Sequence, residues 1–271
     1  MNAARLVLDA PLAHLRWDGG ARSVVLLHGV GGGRESWGDV LSGTGLAIAR
    51  AGYRTVAVDL PGYGNSPAVT PYDLHHVALA VAALIDRLGP EPVAVVGHSL
   101  GGMVAQELMA HAPQRVAALL LTGTTPSFGK PEGAWQQEFL DQRLAPLDAG
   151  RGMAGLAPGL VRGMAAADAP HDAVARATLL MAGVPEATYR MALAALAGFD
   201  RREGLADLRL PVLCLAGGED RNAPPAVMQR MAARIAGAEY RCLPGVGHLS
   251  HMEAPQAVNP VLVDFLQRRY S

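Results

Sequence analysis

The stretch Val93-Ala94-Val95-Val96-Gly97-His98-Ser99-Leu100-Gly101-Gly102-Met103-Val104-Ala105-Gln106-Glu107-Leu108 decides how this chain is read. Its apolar opening predicts a buried strand, and Leu100 to His111 has the character of a helix. Between them lies a turn pinched by glycine, with one serine at its apex. Such a turn forces Ser99 into strained backbone geometry and lifts its hydroxyl clear of the sheet. Strand and helix approach closely there, so the flanking residues must be small, and positive φ is nearly free only for glycine. A bare Gly-x-Ser-x-Gly is common by chance. Set between a strand and a helix, it marks a nucleophile.

Outward from this point, short apolar runs alternate with helical segments. Val24 to Leu27, Thr55 to Val58, Ala118 to Leu121, Val212 to Ala216 and Glu239 to Leu243 join Val93 to Val96 as predicted strands. Continuously apolar strands are those covered on both faces, which argues for a parallel sheet. Helices are predicted over 44–51, 73–88, 100–111, 224–235 and 255–269, with Asp73 as an N-cap and Gly89-Pro90 as a stop. Arg5 to Leu8 and Leu12 to Trp17 read as an antiparallel hairpin at the sheet edge. The βαβ alternation predicts right-handed crossovers and a doubly wound sheet. From about Pro126 to Asp200 the alternation stops, and Ala-, Met- and Leu-rich helical pieces are cut by Gly129, Gly133, Gly150, Pro158, Pro170 and Pro185. This segment is expected to be an insertion above the sheet.

The 271 residues are 50% hydrophobic and 17% charged, with a formal net charge of −1. That balance fits one globular α/β domain and argues against a nucleic acid or an anionic membrane as partner. The opening residues lack the apolar core of a signal peptide, and no run approaches the roughly 20 apolar residues of a spanning helix. The cytoplasm is the expected compartment. Cys214 and Cys242 are too few for a disulfide framework or a zinc site and are expected to be small buried residues. No heptad pattern specifies an oligomer.

A serine hydroxyl needs a base to take its proton. His248 is the best candidate, in Leu243-Pro244-Gly245-Val246-Gly247-His248, the loop after the last predicted strand. The imidazole needs an orienting carboxylate that also stabilises its charged form. Asp220 fits, in the loop after the preceding strand. His98, His251 and Glu219 are the alternatives, but Asp220 and His248 each follow consecutive strands, at the carboxyl ends where open parallel sheets form ligand crevices. The oxyanion of an acyl-transfer intermediate is best held by two backbone N–H groups. Leu100 supplies the first, and Val30, in the loop His28-Gly29-Val30-Gly31-Gly32-Gly33, is expected to supply the second. Such a loop could also cradle a phosphate, but neither the dinucleotide glycine spacing nor Gly-Lys-Ser/Thr is present.

The chain resembles the α/β-hydrolase superfamily over nearly its whole length. The resemblance rests on His28-Gly29 followed by Trp37, Asp59-Leu60-Pro61-Gly62-Tyr63-Gly64-Asn65-Ser66, Gly97-His98-Ser99-Leu100-Gly101-Gly102, Gly217-Gly218-Glu219-Asp220 and Gly247-His248, all in the family's order. Phe199 to Leu205 and the tail Gly247 to Asn259 are similar to the 3-oxoadipate enol-lactonase branch. Epoxide hydrolases and haloalkane dehalogenases carry aspartate where this chain has Ser99. The resemblance implies an eight-stranded, mostly parallel sheet with a helical cap after the sixth strand. Residues 1–125 and 201–271 then form the core domain, and 126–200 the cap. It further implies a cofactor-independent, metal-free serine hydrolase acting on a small ester or lactone. The same machinery also serves carbon–carbon hydrolysis, perhydrolysis and acyl transfer, and a non-catalytic binding protein is the remaining alternative. An enol-lactonase must hold a free carboxylate, so an arginine in the cap is expected to bind substrate. Arg143, Arg162, Arg176 and Arg190 are available, with Arg143 and Arg162 preferred and Trp135 placed to cover the ring.

Overall fold

The computed structural model describes residues 5–8, 11–39, 41–130 and 133–271; residues 1–4, part of the opening segment read for a leader, lie outside them. Eight strands form one sheet: β1 (Arg5–Val7), β2 (His14–Asp18), β3 (Ser23–Leu27), β4 (Arg54–Val58), β5 (Val93–His98), β6 (Val116–Thr122), β7 (Val212–Gly217) and β8 (Glu239–Leu243). Their order is β1-β2-β4-β3-β5-β6-β7-β8. The hairpin β1–β2 pairs antiparallel to β4, and every other pairing is parallel. The helices are α1 (Gly43–Arg50), α2 (Leu74–Leu88), α3 (Leu100–His111), α4 (Ala134–Asp148), α5 (Gly152–Met164), α6 (His171–Ala182), α7 (Glu186–Ala197), α8 (Pro225–Ala233), α9 (Ser250–Glu253) and α10 (Pro255–Arg269).

The apolar strands alternate strictly between two cores. Val25, Leu27, Val56, Val58, Val95, Leu119 and Leu121 face α2, α3 and α8. Val24, Leu26, Ala57, Ala94, Val96 and Leu120 face the other way, onto Trp17, Trp37, α1 and α10. Burying each such side chain contributes roughly 1.5–3 kcal/mol, and cover on both faces is what makes the strands read as unbroken apolar runs. At the start of α2, Asp73 accepts from the His76 N–H at 2.8 Å, as its N-cap position predicts. The chain leaves β3 towards β4 on one side and returns to β5 on the other. The crevice of a doubly wound sheet opens at this reversal.

Between β6 and β7 lie α4 to α7. The two ends of this segment are stapled together by the bridge Ser127–Asp200, with the Phe128 N–H on the Phe199 carbonyl at 3.0 Å and the Arg201 N–H on the Pro126 carbonyl at 2.8 Å. Gly150, at φ 77°, separates α4 from α5, and Pro170 and Pro185 stand at the N-caps of α6 and α7. Pro158 does not cut the chain as expected; it sits inside α5, on the exposed face, where water can take the carbonyl it leaves unbonded. Cys242 also departs from expectation. β8 is an edge strand and turns this thiol outward, whereas Cys214 in β7 is buried. Among the described residues no helix is long and apolar enough to cross a membrane.

Candidate active site

Ser99 is the N-cap of α3 and has φ 52° and ψ −117°, the one non-glycine residue with positive φ among those described. Holding a side-chain-bearing residue there costs of order 1–3 kcal/mol, so neighbours must enforce it. The Ser99 N–H donates to the Thr122 carbonyl at 3.0 Å, and the Thr124 hydroxyl donates to the Ser99 carbonyl at 2.8 Å. Glycine is required at the flanks. A Cβ on Gly97 would lie 2.5 Å from the Gly101 carbonyl oxygen, and one on Gly101 would run into the Leu27 carbonyl.

His248 follows β8 and places Nε2 3.0 Å from Ser99 Oγ. Its Nδ1 lies 2.8 Å from Asp220 Oδ2. A carboxylate can only accept, so Nδ1 carries the hydrogen, and Nε2 presents a lone pair to the serine hydroxyl. Burial, the largest single influence, opposes ionisation of Asp220, and the attraction and hydrogen bond of His248 work against it. Together with the N–H groups of Ala223 and Asn222, at 2.9 and 2.8 Å, they hold its carboxyl below the usual range. Glu219 reaches elsewhere, accepting from the Ala167 N–H at 3.2 Å.

The alternative bases His98 and His251, and the neighbouring His28, are each engaged by other groups. His98 donates from Nε2 to the His248 carbonyl at 2.8 Å, and burial pushes its pKa down to about 3. His251 stacks on Trp37 with ring centroids 4.3 Å apart, and burial lowers its pKa well below the ordinary value. His28 accepts the Leu60 N–H on Nε2 at 3.0 Å and donates from Nδ1 to the Gly29 carbonyl at 2.8 Å. Burial, ahead of those bonds, lowers its pKa too. All three remain neutral supports.

The Gly29–Gly33 loop passes close to the serine: a Cβ on Gly29 would lie 3.2 Å from Ser99 Cβ. Three contacts fix this loop. The Tyr63 hydroxyl donates to the Val30 carbonyl at 3.0 Å. Asp59 accepts the Arg34 N–H at 2.9 Å, and the Arg34 guanidinium pairs with the same carboxylate. Val30 and Leu100 therefore both adjoin Ser99, Val30 across the pocket wall and Leu100 as the next residue in the chain.

Glu253, inside the tail from Gly247 to Asn259, has a role that the sequence did not disclose. This buried side chain accepts the Gly247 N–H at 3.0 Å and the Leu249 N–H at 2.9 Å, gripping the loop on both sides of His248. It also accepts the Ala166 N–H at 2.9 Å, and the His248 N–H bonds the Met164 carbonyl at 2.9 Å. The end of α5 is thus tied to the histidine loop. Only the spacing of five residues from His248 hints at this in sequence.

A cavity of about 590 Å³ opens over Ser99 and His248, within the usual range for small-molecule sites. Its apolar wall includes Met103, Phe128, Phe139, Leu160, Met164 and Met181. Trp135 lines it and is half exposed. Arg143 lines it too, buried, stacked 3.4 Å over the Phe139 ring. Burial lowers its pKa. Arg162 is not brought to the cavity. It falls off the buried stripe of α5 formed by Leu156, Ala157, Val161 and Met164, and its exposed guanidinium donates to the Ala167 carbonyl at 2.5 Å. Arg190 pairs with Asp148 and Glu186, and Arg176 donates to the Glu35 carbonyl, so neither faces the serine.

The sequence profile of the Alpha/beta hydrolase family matches residues 24–261. A dihydrolipoyllysine-residue acetyltransferase component of the acetoin cleaving system from Pseudomonas putida is 31% identical over 269 residues, spanning 94% of this chain and 67% of that protein. A pimeloyl-(acyl-carrier protein) methyl ester esterase from Neisseria meningitidis is 30% identical over 259 residues, spanning 86% of this chain and 89% of its own. The crystal structure of the enol-lactonase from Burkholderia xenovorans LB400 has a TM-score of 0.81 and 24% identity, covering 97% of this chain and 100% of that one, a likeness of fold.

Proposed function

The chain is a member of the alpha/beta hydrolase family, and from that premise we propose that it is a cofactor-independent serine hydrolase that cleaves a small carboxylic ester or lactone in the cytoplasm. The observation that carries the reading is the unbroken hydrogen-bonded run from Asp220 through His248 to Ser99. The cycle follows from its geometry. Ser99 Oγ attacks the carbonyl carbon while His248 Nε2 takes its proton, and Asp220 stabilises the imidazolium. The oxyanion receives the N–H groups of Leu100 and Val30. Collapse breaks the bond to the alkoxy oxygen, which leaves with the proton from His248. In a lactone that oxygen stays tethered to the acyl group. Water, deprotonated by the same Nε2, then attacks the acyl-serine and regenerates the hydroxyl. Protein groups and water complete the chemistry.

The segment 126–200 acts in this reading as a cap over the core of residues 1–125 and 201–271. Trp135 and Arg143 join Phe139, Leu160, Met164 and Met181 in its contribution to the substrate wall, and Arg162 has no part. The esterase relative supports ester cleavage. The acetyltransferase relative supports a second reading, in which a nucleophile other than water takes the acyl group. Turnover of a short-chain nitrophenyl ester by Ser99→Ala should fall at least about 10³-fold while folding is kept. Undiminished turnover would reject the mechanism. Product analysis with water, peroxide and an alcohol in competition separates hydrolysis from transfer.

A further inference from the structure

The mouth of the Ser99 cavity is charged in a way the chain as a whole is not. The sequence carries 23 basic and 24 acidic residues. Among the described residues lining the cavity, five are arginine and none is aspartate or glutamate. Arg143 lies within the wall. The other four, Arg202, Arg221, Arg230 and Arg234, are exposed at the outer end and come from the core side of the pocket rather than from α4 to α7.

Their placement follows from local structure. Val227, Arg230, Met231 and Arg234 are spaced i, i+3, i+4, i+7 along α8 and its C-cap, so they share one face. That face alternates apolar and cationic groups along the cavity wall. Arg221 directly follows Asp220, so its position is fixed by the loop that orients His248. Arg202 is occupied by the Asp200 carboxylate. Among the described residues, Arg221, Arg230 and Arg234 form no ion pair, although Arg234 lies near enough to Asp200 for its charge to help lower that carboxyl. Like charges at i, i+4 repel one another. A bound anion would remove that repulsion at Arg230 and Arg234 and could be gripped bidentately by guanidinium groups.

We infer that the rim formed by Arg221, Arg230 and Arg234 is an anion site that selects esters carrying a carboxylate or phosphate at the end remote from the scissile carbonyl. The inference rests on the hydrolase reading above. An acyl chain lying along Val227 and Met231 delivers its terminal anion to the two α8 guanidinium groups, while the carbonyl stays at Ser99. Field lines from several cations at the mouth of a low-dielectric pocket also steer anionic substrates inward.

The test uses three nitrophenyl esters of similar acyl length, ending in a methyl group, a carboxylate or a phosphate. The wild-type protein should show higher kcat/KM on one or both anionic esters than on the neutral one, and the two anionic arms identify the preferred group. In the double variant Arg230→Glu/Arg234→Glu, the ratio of anionic to neutral kcat/KM should fall about ten-fold. For the wild-type protein itself, raising the salt from about 0.02 to about 0.5 M should shrink the same ratio, since the screening length drops to a few ångströms. Equal kcat/KM on all three esters, or a preference that survives both charge reversal and salt, overturns the inference and leaves the hydrolase reading standing. Failure of the wild-type protein to cleave any of the three contradicts that reading instead.

Discussion

Two regions face each other across one pocket and are held by different physics. On the sheet side, the loops after β5, β7 and β8 are locked by polar contacts. Asp220 accepts bonds from His248, Asn222 and Ala223, and Glu253 grips the backbone on either side of His248. On the helical side, α4 to α7 present a mostly apolar surface that includes Met164 and Met181, with a handful of polar ties to the core. Among these are Thr188 Oγ on the Gly62 carbonyl at 2.8 Å and the Met164 carbonyl on the His248 N–H. The difference teaches a division of labour. Proton transfer needs geometry fixed to fractions of an ångström, which hydrogen bonds supply. Accommodating an acyl group needs an adaptable wall, which methionine provides.

Glycine substitutions should break the two regions apart most sharply. At Gly101 a Cβ meets the backbone carbonyl of Leu27, and neither backbone can move far. Gly101→Ala should therefore cost about 3 kcal/mol or more, read as a lower urea midpoint. A cost below about 1 kcal/mol would mean that the turn is looser than the contacts require. Next in size is Glu253→Gln, which keeps the shape and removes the charge that three N–H groups share. It should lower kcat about ten-fold with KM little changed, because the loop carrying His248 loosens while the pocket stays. An equal change in KM alone would assign Glu253 to the wall instead.

Acid should weaken the sheet-side region. Burial depresses His28, His98 and His251, His98 to about 3, whereas in the unfolded chain each takes a proton near the ordinary value of about 6.5. The unfolded state then binds more protons below that value, so stability is full above it and declines as pH falls from about 6.5 towards 3. His98 contributes roughly 1 kcal/mol per pH unit in that window, and His28 and His251 act in the same direction. Urea midpoints at pH 7 and pH 5 measure the slope, and a flat profile would contradict neutral burial. The smallest effect lies on the helical side. A Cβ on Gly159, inside α5, meets nothing within 4 Å. Gly159→Ala should stabilise the protein by about 0.5–1 kcal/mol, with kcat unchanged.

Legibility in the sequence follows the same division. Strands β3 to β7 announced themselves because burial on both faces leaves few polar positions, β8 at the exposed sheet edge kept only its place in the alternation, and α3 and α10 match their predicted ranges. Ser99, Asp220 and His248 were readable because each lies in the turn or loop that follows a strand, so chain order carries spatial order. Arg162 misled because α5 offers apolar residues and glycine around much of its circumference, and its helical phase was settled only by packing. Cys242 misled because an edge strand has no neighbour to bury its outer face. The rim arginines went unseen because α8 and the Asp220 loop meet at the cavity mouth only in three dimensions.

The measurement that bears most directly on this account is covalent labelling by a fluorophosphonate, mapped by peptide mass spectrometry. A single phosphonyl adduct on Ser99 is predicted. In Asp220→Asn, which keeps the bulk but disturbs the His248 tautomer, labelling should be slower by about 10³–10⁴-fold. Folded protein without an adduct at Ser99, or adducts forming at the same rate with and without the Asp220 carboxylate, would contradict it.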